Sequence, residues 1–153
     1  MTSTEQVQPA ASMPTSRKVL CTVYALIALV ALVATWSQTV AYTHSGTAFF
    51  GTFWRDTRVN AASRNITADA LMLSMSVVIL MVLEARKRGV RFVWLYVLGG
   101  VFVAISVTVP LFLIAREIRM GSAEPPRLRL LDVILLVVAG SGALALTFWV
   151  DMG

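Results

Sequence analysis

Four runs of apolar residues, each about twenty long, constrain this chain more than anything else in it. They lie at about 19–42, 66–83, 92–115 and 130–150. A helix rises about 1.5 Å per residue, so about twenty residues cross a hydrocarbon core of about 30 Å. None of the runs shows the period-two alternation of a barrel strand, and a helix satisfies its own backbone polar groups in lipid. The fold expected is therefore all-α: a polytopic transmembrane bundle of four helices. The second run, Ile66 to Leu83, reaches roughly 27 Å and spans only just, whereas the third, Phe92 to Ala115, reaches roughly 36 Å.

Composition agrees with lipid as the solvent. Of 153 residues, 58% are hydrophobic and 14% charged, against about 25% charged in soluble domains. A chain so poor in charge cannot cover itself with polar surface, so the excess apolar area meets lipid or other proteins. The net charge of +5 would suit nucleic acid, but no recognition motif accompanies it. The basic residues instead flank the apolar runs, where anionic head groups account for them. Nucleic acid is excluded as a partner, and membrane lipids are expected. Cys21 is the only cysteine and His44 the only histidine, so neither a disulfide, a thiolate cage nor a histidine ligand set is expected. No cofactor and no metal are expected.

Residues 1–16, MTSTEQVQPAASMPTS, are polar with Pro9 and Pro14 and read as a flexible tail; residues 17–153 read as one transmembrane domain. Arg17 and Lys18 before an apolar run resemble a signal peptide, but the run is long and is followed by WSQTVAYTH, as in an uncleaved anchor.

Four crossings place both termini on one side. With the N-terminus inside, the inner cations are Arg17, Lys18, Arg86, Lys87, Arg88 and Arg91. The outer ones are Arg55, Arg58, Arg64, Arg116, Arg119, Arg127 and Arg129. The count is nearly balanced, so the dense cluster ARKRGVR carries the decision. It places both termini in the cytoplasm, with the protein in the inner (plasma) membrane. Glu84 to Arg91 reads as a boundary turn rather than an active site, with Arg86, Lys87, Arg88 and Arg91 as topology and interface residues. The loop 43–65 contains FFGTFW followed by Arg55 and Asp56. An interfacial helix, a lid and a docking surface all fit it.

Polar groups at membrane depth are costly and worth a hypothesis each. Asp69 opens the second run, where Asn65 or Thr67 is the expected cap and Asp69 suits the positive helix end. Glu84 closes that run with Arg88 at i+4. Asp69 and Glu84 lie roughly 22 Å apart on one helix, too far to act together. Alternating crossings would instead gather Trp36, Gln38, His44, Arg55, Asp56, Arg116, Glu117 and Asp132 on the face of Asp69. Asp69, Trp36, Asp56 and Glu117 are the candidate catalytic residues. Pro110 is expected to kink the third helix near that face. Gly99, Gly100, Gly140 and Gly142 are expected helix-packing positions.

In sequence the chain resembles the DUF2834 family of small bacterial integral membrane proteins, whose function is unknown. The resemblance is carried by RKVLCTVYALIALVALVATW, by Asn65 and Asp69, and by Glu84-Ala85-Arg86 with Gly89. It continues through Trp94, Tyr96, Ser106, Pro110-Leu111-Phe112 and Arg116-Glu117. It covers about Arg17 to Arg119 and implies three to four membrane helices without an activity. A looser likeness links the acidic residues near helix ends to membrane-embedded isoprenoid cyclases, by analogy only.

Two functions are expected from these observations. The first is an accessory or structural subunit, not an enzyme, of a larger bacterial membrane complex, respiratory or transport-related, with other integral membrane subunits as partners. The second is a lipid- or isoprenoid-binding protein or cyclase-like enzyme, with Asp69 as acid and Trp36, together with Phe53 or Trp54, stabilising a cation through its ring.

Overall fold

A computed structural model describes residues 13–121 and 129–152 of the chain. Most of the expected tail, and Arg127 of the linker, lie outside these residues. The protein is an all-helical, polytopic membrane bundle. Four helical segments are long and apolar enough to cross a membrane: Thr15–His44, Ala61–Arg88, Val93–Met120 and Leu130–Val150.

Helix α1 spans Thr15–Thr39 and follows Pro14, so Thr15 and Ser16 belong to the helix rather than to a tail. It tightens into 3₁₀ turns over Val40–Ala48, interrupted at Gly46, whose φ of 54° only glycine adopts without strain. The short helix α2, Phe49–Asp56, follows.

Helix α3 spans Ala61–Arg88. Asn60, in extended backbone, caps it by accepting a hydrogen bond from the Ser63 amide at 2.8 Å. The cap is thus Asn60 and not Asn65 or Thr67, which lie inside the helix; polar Ala61–Arg64 extend the helix beyond its apolar run. At the other end Gly89 is left-handed (φ 66°), and the Val90 amide donates back to the Ala85 carbonyl at 3.0 Å. This six-to-one bond closes the helix, and the accompanying contact of Val90 with Ala85 is buried.

The third apolar segment departs from a single straight span. It comprises α4 (Val93–Gly99), a π-turn (Gly100–Ala104) and α5 (Ile105–Met120). Ala104 has extended backbone, φ 177° and ψ 142°, and breaks the helix there. In a continuous helix, Tyr96 and Phe112 would stand roughly 24 Å apart. Their rings are instead 5.8 Å apart, edge to face, and Val93 shares a buried cluster with Phe112. The segment therefore doubles back as a helical hairpin. Its close approach depends on glycine: a Cβ at Gly99 would lie 3.0 Å from Thr108 Cγ2, and one at Gly100 3.2 Å from Thr108 Oγ1. Pro110 is buried within α5, but the reversal is six residues earlier, at Ala104. Any kink at Pro110 is secondary to it.

Arm α5 is the centre of the bundle, packed on α1, on α3 and on α4. Met81 and Ala85 of α3, Val90, Val93 of α4 and Phe112 of α5 form its buried apolar core. Helix α6, Leu130–Met152, lies against α1. Leu144, Ala145, Thr147 and Phe148 of α6 face Leu29, Val30, Val33 and Ala34 of α1 across an open apolar groove. The late part of each helix is therefore level with the late part of the other.

Candidate functional site

Three elements that sequence order would separate meet at one end of the bundle: the start of α1, the end of α3 and the end of α5. There the side chains form a chain of alternating charge. Arg17 Nη1 donates to Glu117 Oε2 at 2.7 Å, and Arg116 Nη1 donates to Glu117 Oε1 at 2.7 Å. Arg116 Nε in turn donates to Glu84 Oε1 at 2.7 Å, which also accepts from Arg88 Nε at 3.1 Å. Arg17 and Glu117 are 2% exposed. Burying such a pair is tolerable only because each carboxylate takes more than one charged donor.

Chemically this arrangement is a latch. Both acids lie between two guanidiniums, so each carboxylate is engaged by charged donors from two sides. The pairs Arg17–Glu117 and Arg116–Glu84 tie α5 to α1 on one side and to α3 on the other. Glu84 escapes the usual penalty of an acid at a helix C-terminus through these two cations.

At the other end, the tip of the hairpin is held by α1 and approached by α2. Trp36 Nε1 donates to the Val103 carbonyl at 3.2 Å, taking up an acceptor beside the break at Ala104. Phe50 of α2 meets Phe102 at 6.4 Å between ring centroids. Behind it, Phe49, Phe53 and Tyr42 continue the aromatic contacts, with Tyr42 and Phe53 edge to face at 5.5 Å. Thr108 Oγ1, buried between the arms, has no hydrogen-bond partner among the described residues.

The candidate catalytic residues do not converge. Glu117 belongs to the charged latch, as does Arg116, at the end of the bundle away from Trp36. Asp69 is exposed in the early part of α3, roughly 22 Å along the helix from Glu84. Asp56 pairs with its neighbour Arg55 at 3.2 Å on the surface. Asp132 accepts from the Arg129 amide at 3.0 Å and serves the start of α6. Trp36 spends its indole N–H on Val103. Among the described residues no group of His, Cys, Asp and Glu could hold a metal ion. Gly99 and Gly100 lie in the hairpin seam, whereas nothing lies within 4 Å of a Cβ at Gly140 or Gly142. The small stretch of α6 is thus uncovered within the chain.

Sequence reasoning overlooked the latch because it assigned Arg17 to flanking charge and Glu117 to the opposite face. One signal was available: the third segment carries cations at both ends, Arg91 and Arg116, which a crossing helix rarely does without bias.

No curated protein matches the chain, and neither does any solved structure. The family model described as "Protein of unknown function DUF2834" matches residues 23–118, from early α1 through the hairpin to within two residues of its end, leaving α6 outside the match. That match covers more than half of the chain, and the protein belongs to the DUF2834 family.

Proposed function

We propose that the protein is a small accessory subunit of a larger membrane complex in the bacterial inner membrane, respiratory or transport-related. The observation that carries this reading is α6: none of its described residues is buried, and its Gly140 and Gly142 meet nothing. A helix so little used by its own chain has most of its circumference, away from the side that faces α1, free for lipid and for neighbouring subunits, and small residues allow close helix approach. The core of the chain supports the same role, because the hairpin, α1 and α3 are tied together by ion pairs and ring contacts that shape a scaffold.

The alternative, a lipid- or isoprenoid-processing enzyme with Asp69 as acid, draws less support. Asp69 is exposed, and Trp36 is engaged with the hairpin tip rather than lining a cavity with it.

The test is extraction in a gentle detergent through a tag on the N-terminal tail, followed by mass spectrometry of what co-purifies. A stoichiometric set of membrane proteins is the expected result. Isolation as a monomer or homo-oligomer with bound lipid or isoprenoid would overturn the subunit reading in favour of the enzyme.

A further inference from the structure

We propose that residues 93–120 enter and leave the bilayer on one face, so that the chain crosses three times, with its N-terminus cytoplasmic and its C-terminus on the opposite side. The crossing helices are α1, α3 and α6; α4 and α5 form a re-entrant hairpin between them.

The geometry comes first. Glu84, near the end of α3, pairs with Arg116 near the end of α5. The two helix ends are therefore level, although a whole apolar segment separates them in sequence. Arg17, at the start of α1, pairs with Glu117 at the same level. At the far end of α1, Trp36 meets Val103 at the hairpin tip. The segment thus begins and ends beside the start of α1 and turns beside its end. With 12 residues in the α4 arm and its turn, and 16 in α5, the arms reach roughly 18 and 24 Å, short of a core about 30 Å thick. Irregular backbone at membrane depth is tolerated where protein satisfies it. Trp36 supplies the donor for Val103, and Phe50 of α2 meets Phe102 beside it.

Charge then supplies the direction. Under four crossings the cations are nearly balanced between the two faces. With the hairpin returning, Arg17 and Lys18, the four cations from Arg86 to Arg91, and Arg116, Arg119 and Arg129 share one end. Only Arg55, Arg58 and Arg64 remain at the other. Nine described cations against three is a decisive bias where the alternating arrangement had none, and loops rich in Lys and Arg stay in the cytoplasm. Helix α6 follows α5 from the cytoplasmic end, and its late part lies level with the late part of α1, so it carries the C-terminus across.

Side-specific labelling tests this in intact cells carrying the full chain with Cys21→Ala. Single cysteines are introduced as Val59→Cys, between α2 and α3, and as Ser122→Cys, between α5 and α6. A separate fusion places alkaline phosphatase, active only outside the cytoplasm, at the C-terminus. The expected pattern is Val59→Cys labelled by a membrane-impermeant maleimide, Ser122→Cys labelled only after permeabilisation, and an active phosphatase. Labelling of Ser122→Cys from outside with an inactive phosphatase would show a third segment that traverses, and would overturn the hairpin. A protected Val59→Cys with an exposed Ser122→Cys would overturn the orientation.

Discussion

Arg17 and Glu117 stand a hundred residues apart in sequence and 2.7 Å apart in space, each side chain 2% exposed. Removing one partner from such a pair leaves the other charge buried. Glu117→Ala is therefore expected to cost about 3–5 kcal/mol, read as a lowered midpoint of unfolding in detergent. The charge-swapped double variant, Arg17→Glu with Glu117→Arg, should recover only part of this, because Arg116 also bonds Glu117. Full recovery would show that Arg116 contributes nothing to the latch.

The glycines divide by environment. Gly99→Val forces a branched side chain onto Thr108, where even a Cβ would lie at 3.0 Å, and should cost about 1–3 kcal/mol by overpacking. Gly142→Val meets open space in the isolated chain. It should leave the thermal stability of the purified protein unchanged while reducing recovery of the co-purifying partners. Equal losses of stability at both positions would contradict the assignment of Gly99 to a packed seam.

Trp36→Phe keeps the ring but removes the donor to Val103. The expected loss is about 0.5–1.5 kcal/mol, with faster amide hydrogen exchange confined to the hairpin tip. Unchanged exchange over Gly100–Ala104 would show that the indole N–H does not hold the tip.

For α3, the cap is tested by comparing Asn60→Ala with Asn65→Ala. The first removes the acceptor for the Ser63 amide and should cost about 1 kcal/mol. The second, an exposed residue already inside the helix, should cost little. The reverse ranking in thermal unfolding would restore Asn65 as the cap.

Neutralising Arg86, Lys87 and Arg88 together should disturb orientation or insertion rather than any chemistry, since these residues mark the boundary between α3 and the hairpin. Arg88 would also lose its bond to Glu84. Unchanged side-specific labelling in the triple glutamine variant would count against a topological role.

Much of the architecture was legible from apolar run length alone. The chain's poverty of charge and its four long runs require helices in lipid, because only a helix or a closed barrel satisfies its backbone there. Glu84 to Arg91 also read as a boundary turn, and the structure puts the left-handed Gly89 within it. The candidate site was much less legible. Grouping Asp69 with Trp36, Asp56 and Glu117 assumed that each run crosses and that alternate ends share a face; one reversal moved Glu117 and Arg116 to the other end of the bundle.

The amino-acid sequence by itself determined which segments enter lipid, since transfer of apolar side chains depends on their composition and hardly on their neighbours. Hydropathy is a one-dimensional quantity, however, and reads the same for a segment that traverses as for one that returns. Only the tertiary structure showed that the third segment doubles back on itself. The close fit of Thr108 against Gly99 and Gly100, the extended backbone at Ala104, and the pairing of Glu117 with Arg17 and of Arg116 with Glu84 are all contacts between residues distant in the chain. Their energies depend on distance in space, which no periodicity along the chain encodes.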